Sequence, residues 1–289
     1  MTKFIIKTTL VLILVFLFDK LFYFSLNILP HLQYDKRLEY ILTDEIKSEI
    51  LILGSSRAAR DILAIDMEEH LGRSCYNLGY PGSNIEFHTF LLKHIVRLSV
   101  KPKTVLLVLD DPDELVRNST INFRWDRIYP LVKYNELNNL LLQKTNKNPL
   151  LNKFMYSIRI KENFPQNFVP VPPSPLEVIK SNGSMPISLK GPQWKEMKYR
   201  YKTSNYSIDH ESSELRQKFI KFIEICQSNG INLILVYPPN FYSMNSSFIN
   251  RIQELSPDDV KHYIANTKNF TNKKYFTIED ISMRRAQLF

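Results

Sequence analysis

The stretch Ile50-Leu51-Ile52-Leu53-Gly54-Ser55-Ser56-Arg57-Ala58 limits the possible folds more than any other part of this chain. A short, unbroken apolar run reads as a strand buried on both faces, the pattern of a parallel sheet. Gly54 closes the run with a tight turn, and the spacing of Ile62, Leu63, Ile65, Met67 and Leu71 predicts a helix over about 59–71. Ser55 and Ser56 then fall on the turn from the carboxyl end of a strand into a helix, where open α/β sheets hold ligands. A serine beside helix-start amides is set up as a nucleophile. It is equally an ordinary N-cap, and this stretch alone leaves both roles open.

The alternation continues along the chain. The first strand, about 49–53, is followed by a second over 74–79, which breaks at Tyr80-Pro81-Gly82-Ser83-Asn84. Helical spacing over 85–98 leads to a third buried strand, 104–109, ending in Asp110-Asp111-Pro112-Asp113-Glu114. Strands alternating with helices predict a parallel, doubly wound sheet. Over 118–212 the rhythm is lost: 134–143 has helical spacing, 164–175 is proline-rich and 181–204 has no period. So long a stretch is not a plain loop. It reads either as a cap inserted at the site end of the sheet or as an irregular surface excursion, and its Tyr, Trp, Asn and Lys suit a carbohydrate-facing surface. Regularity returns with an amphipathic helix over 213–228, a strand over 231–237 stopped by Pro238-Pro239, helical spacing over 248–255 and 257–265, and a short last strand at Tyr275-Phe276-Thr277.

Phe4 to Leu29 is dominated by Leu, Ile, Val and Phe and is long enough to span a bilayer. Charges near the middle of a span cost roughly 2.5–3.5 kcal/mol each, which the many apolar residues offset. No small-residue cleavage site follows the apolar core, since the chain continues Leu21-Phe22-Tyr23-Phe24, so an uncleaved anchor is expected rather than a signal peptide. Lys3 and Lys7 ahead of the run keep the amino terminus in the cytoplasm. The expected topology is a single pass through a membrane with the bulk of the chain on the side away from the cytoplasm. Asp19 and Lys20 inside the span either face a membrane partner or pair with each other or with interfacial water. The domain reading is an anchor over 1–35 and one α/β domain over 36–289, with 118–212 as the insertion.

The net charge of +9 is spread along the chain. It favours anionic surfaces such as lipid headgroups or acidic polysaccharide over nucleic acid, which is not an expected partner. Two cysteines, Cys75 and Cys226, are too few for a disulfide framework and read as buried free thiols. No spacing among His, Cys and carboxylates suits a metal, and no cofactor is expected.

With Gly54-Ser55-Ser56 after the first strand, Asn77-Leu78-Gly79-Tyr80-Pro81-Gly82 after the second and an acidic run after the third, the chain resembles the SGNH/GDSL hydrolase superfamily. It looks like that family's membrane-anchored, Gly-Ser-Ser-Arg branch of envelope proteins. The resemblance implies a three-layer, flavodoxin-like parallel sheet, with Ser56 as nucleophile and Gly82 as a backbone oxyanion donor. Ser55, Arg57, Asn84 and Asp111 fall in the surrounding oxyanion and binding region. It implies action on O-acyl, chiefly O-acetyl, esters of envelope polysaccharide. The chain departs from the family in two places. Leu109-Asp110-Asp111-Pro112 stands where an oxyanion-hole asparagine belongs, and a carboxylate there repels an oxyanion. The terminal Asp-x-x-His frame falls on Thr277 and Asp280, leaving Ser56 without an imidazole base. His88, just past the Gly82 turn, and His210, in the insertion, are the candidates for a substitute. Asp280 is expected within a few ångströms of Ser56. The alternative reading is a non-catalytic glycan-binding protein or an accessory partner of a membrane-bound O-acyltransferase, the setting in which relatives in alginate acetylation and teichoic acid alanylation work.

Overall fold

The computed structural model describes residues 1–110, 112–145, 150, 154–161, 178–186, 206–238 and 245–264. In chain order the described elements begin with α1 (Thr2–Ile28), α2 (Arg37–Leu42), β1 (Ile50–Gly54), α3 (Ser56–Asp61), α4 (Ala64–Leu71) and β2 (Cys75–Asn77). They continue with α5 (Ile85–Ile95), β3 (Thr104–Val108), α6 (Trp125–Ile128), α7 (Asn135–Thr145), α8 (Tyr156–Lys161), α9 (Ser213–Ser228), β4 (Asn232–Tyr237), α10 (Ser246–Leu255) and β5 (Lys261–Ile264). Two compact units emerge: Met1–Glu39 with Arg124–Pro173, and Tyr40–Phe123 with Ser174–Phe289.

The second unit holds a five-stranded sheet in the order β2-β1-β3-β4-β5, parallel throughout. β1 lies between β2 and β3, and all its residues are buried, as its unbroken apolar run requires. Parallel neighbours need crossovers, and α3–α4, α5 and α9 supply them. Ile50, Ile52, Ala58, Ile62, Ala64, Cys75, Leu106, Val108 and Val236 form one continuous core. α9 runs over 213–228 as its spacing predicts. It is capped by Ser212, whose side chain accepts from the Leu215 N–H, and it is followed by Gly230 at φ +66°. Cys75 and Cys226 are buried free thiols, and burial pushes their pKa up to about 11 and about 12, so they are weak nucleophiles.

Two expectations need correction. The helix predicted over 59–71 is two helices, broken at Ile62-Leu63. The Asn77 side chain satisfies the break: its Nδ2 donates to the carbonyls of Ala58 (2.7 Å) and Ile62 (2.8 Å), securing the end of α3 from outside the helix. Where a helix was expected over 257–265, the described residues 257–264 form a turn and then β5. Pro257-Asp258-Asp259 makes the turn, and Lys261-His262-Tyr263-Ile264 finds ladder hydrogen bonds on β4 that an isolated helical turn lacks. The predicted last strand at 275–277 lies outside the described residues.

In the first unit α1 is long and apolar enough to cross a membrane. The adjacent Asp19 and Lys20 of α1 lie 3.5 Å apart and have further partners within the chain. Asp19 is held by Tyr156 and Ser157, and Lys20 by the Phe154 carbonyl. Beyond α1, Asp35 and Arg37 form a buried bidentate pair at 2.9 and 2.7 Å.

Candidate functional site

The site is built where β1, β2 and β3 end. Gly54 has φ +143°, and a Cβ there would lie 2.7 Å from the Val108 carbonyl oxygen, so only glycine lets β1 turn this close to β3. The next residue, Ser55, is 1% exposed, and its hydroxyl donates to Asp110, the residue two beyond β3. Ser56 is half-buried as the first residue of α3, and its hydroxyl has no hydrogen-bond partner among the described residues. The adjacent serines therefore divide the work: Ser55 ties the first turn to the third, and Ser56 is left unengaged. Arg57 adds a looser link, its Nε 3.7 Å from the Asp110 carboxylate.

The third turn is crowded with acids. Burial raises the Asp110 carboxyl above the usual range, Arg57 and the Ser55 hydrogen bond oppose this, and the like charges of Asp113 and Asp61 reinforce it. Burial also raises Asp113, whose Oδ1 accepts from Asn118 Nδ2 at 2.9 Å. Glu114 is 2% exposed. Burial and the charge of Asp110 push its pKa well above the ordinary value, and its Oε2 has no partner among the described residues. All three carboxyls hold a proton more tightly than solvated carboxylates do.

On the other side, Asn77 Oδ1 accepts from the Gly79 N–H at 2.8 Å, and the Tyr80 N–H donates to the Gly54 carbonyl at 2.9 Å. These bonds lock the second turn to the first. A Cβ at Gly79 would lie 2.4 Å from the Ala59 nitrogen. Gly82 has φ +74°, the turn conformation its motif required. Asn84 caps α5, accepting from the Phe87 N–H at 3.2 Å, so its side chain serves the helix. His88 is wholly buried, its Nε2 2.8 Å from Ser83 Oγ. Burial lowers its pKa to about 3 despite the Gly54 carbonyl, so it is a neutral, packed imidazole bonded to Ser83. His210 is exposed in a turn at Ile208–His210. Neither histidine hydrogen-bonds to Ser56. Asp111, Thr277 and Asp280 lie outside the described residues. No cluster of His, Cys, Asp and Glu suited to a metal occurs among the described residues.

A strap around Gly183 was not foreseen. The Asn77 N–H donates to the Asn182 carbonyl (2.8 Å), the Ala64 N–H to Ser184 Oγ (2.9 Å) and the Met185 N–H to the Ala59 carbonyl (2.6 Å). Gly183, at φ +81°, approaches so closely that a Cβ would lie 2.1 Å from the Asn77 carbonyl oxygen. Asn182-Gly183 is a turn signal in the sequence, but nothing local names its docking surface.

No family model, curated protein or solved structure matches the chain.

Proposed function

We propose that this is a membrane-anchored SGNH-like protein with a three-layer, flavodoxin-like domain, which engages O-acyl, chiefly O-acetyl, esters of envelope polysaccharide at Ser56. One observation carries the reading. In a sheet ordered β2-β1-β3-β4-β5 the order reverses between β1 and β3, the crevice where open α/β folds take their ligands. Ser56 stands beside that crevice with its hydroxyl unengaged, while Ser55 is committed to Asp110. In the reaction the Ser56 oxygen attacks the acyl carbon and its proton passes to a base. The N–H groups of Ser56 and Gly82 receive the oxyanion; the sugar oxygen leaves with the proton returned by that base, the acyl group stays on Ser56, and water or an acceptor hydroxyl then takes it. α1 holds the protein in a bacterial inner membrane, with the domain on the outer side.

A second reading, a glycan-binding or accessory partner of a membrane-bound O-acyltransferase, draws on the histidines. His88 is held neutral on Ser83, and no imidazole hydrogen-bonds to Ser56 among the described residues. The two readings separate on labelling the detergent-solubilised full chain with a fluorophosphonate and mapping the modified peptide. Labelling at Ser56 that Ser56→Ala abolishes supports the enzyme. Labelling only after the double change Thr277→Asp/Asp280→His favours the binding or accessory role. If neither protein labels at Ser56, the ester site itself is rejected.

A further inference from the structure

α1 carries two adjacent charges, and a short stretch of chain far away in sequence is fastened to both. The Asp19 carboxylate, 3% exposed, accepts from the N–H groups of Tyr156 (2.8 Å) and Ser157 (2.9 Å) and from the Ser157 hydroxyl (2.5 Å). Lys20 Nζ donates to the Phe154 carbonyl at 2.6 Å and lies 4.2 and 4.6 Å from the ring centres of Phe16 and Tyr156. The Tyr23 and Tyr156 rings pack at 5.5 Å. Whatever depth residues 19–23 of α1 take in a bilayer, Phe154 and the start of α8 take it too.

That depth follows from lengths. Between Phe4 and Phe18, α1 exposes a surface about 22 Å long at 1.5 Å per residue that is apolar except at Lys7-Thr8-Thr9, near its inner end. A hydrocarbon core is about 30 Å thick, so the span is completed by Leu21, Tyr23 and Phe24, which are also exposed. Asp19 then sits within about 8 Å of the outer boundary of the core, where a carboxylate needs protein donors because lipid has none. The Lys20 ammonium, turned back over Phe16, is likewise met by a protein group, the Phe154 carbonyl. Beside these groups the Phe154 side chain is 59% exposed. We propose that Phe154 and the start of α8 enter the outer interface of the bilayer that α1 crosses, with the Phe154 ring against lipid, as a second membrane contact. The occupant of this surface is lipid, because the surface is continuous with the lipid-facing side of α1 and tied to it by Asp19 and Lys20. The contact sets the rotation and depth of α1, which the residues over 10–18, apolar all round, leave free.

The inference rests on α1 crossing a bilayer, and the test reads the two separately. Phe154→Cys, Leu14→Cys and Ser247→Cys are made singly in the full chain and labelled with an environment-sensitive nitrobenzoxadiazole dye, to which the buried native thiols are poor competitors. Each protein is reconstituted in phosphatidylcholine/phosphatidylglycerol vesicles carrying nitroxide-labelled lipid. The expected result is blue-shifted, quenched emission at positions 14 and 154 and unquenched emission at 247. In an Asp19→Leu background, emission at 154 shifts to the red and loses its quenching while 14 is unchanged. Quenching at 14 without quenching at 154 overturns the inference and leaves the anchor standing. Quenching at neither overturns both.

Discussion

Asp35 in the first unit and Asp110 in the second are buried carboxylates, each beside an arginine, and their acidities are displaced in opposite directions. For Asp35 burial acts upward, yet Arg37, bonded at 2.9 and 2.7 Å, and Arg127 at 3.9 Å hold the carboxyl below its usual range. For Asp110 burial prevails: Arg57 stands off at 3.7 Å, and Asp113 and Asp61 add like charge. Burial alone does not say what a carboxylate is for. A bidentate partner makes it a structural ion pair, whereas an acid left under-compensated at a sheet switch point is the kind of perturbed group that accompanies functional sites.

Replacing Asp35 tests the first half of the contrast most severely. Asp35→Ala removes the bidentate carboxylate from Arg37, which is 1% exposed, and should cost about 3–5 kcal/mol in unfolding of the detergent-solubilised protein. A loss below about 1 kcal/mol would break the comparison. The acid cluster should behave in the opposite sense. The pKa of Glu114 is raised on folding, so its contribution to stability is complete below its ordinary value of 4.5 and is lost as pH rises through the folded value. Glu114→Gln should therefore stabilise by ~1 kcal/mol near pH 8 and leave stability near pH 4 unchanged. Equal effects at the two pH values would show that Glu114 is not held protonated. The smallest effect is expected for Arg57→Gln. Its 3.7 Å contact is not bidentate and its side chain is 17% exposed, so the change should cost less than about 1 kcal/mol by the same unfolding measurement.

What could be read from the residues in order was whatever depends on neighbours in the chain. β1, β3 and β4 announce themselves as short apolar runs, and α9 carries its own cap and its closing glycine. The failures share one physical origin, the action of a distant residue. Nothing between 59 and 71 breaks a helix; the break is secured by the amide of Asn77. β5 is mostly exposed, so it lacks the buried pattern that marks a strand, and β4 recruits it. At the site, Gly54 and Gly82 were legible as turn residues at the ends of the first two strands. The division between Ser55 and Ser56 was hidden, because it depends on Asp110, which lies 55 residues away. Asp19 and Lys20 were visible as charges in an apolar helix, but their partners lie more than 130 residues further on.

The strap around Gly183 has a consequence for how the protein is made. It closes over Asn77 at the outer edge of β2, through contacts that include one between groups 120 residues apart. In the finished protein no neighbouring chain can add a strand across that backbone. A nascent chain that has not yet reached residue 182 offers β2 as a bare edge, the surface on which unfinished sheets pair with one another. The hazard of misassociation therefore falls in the interval of synthesis, and it ends when the strap docks.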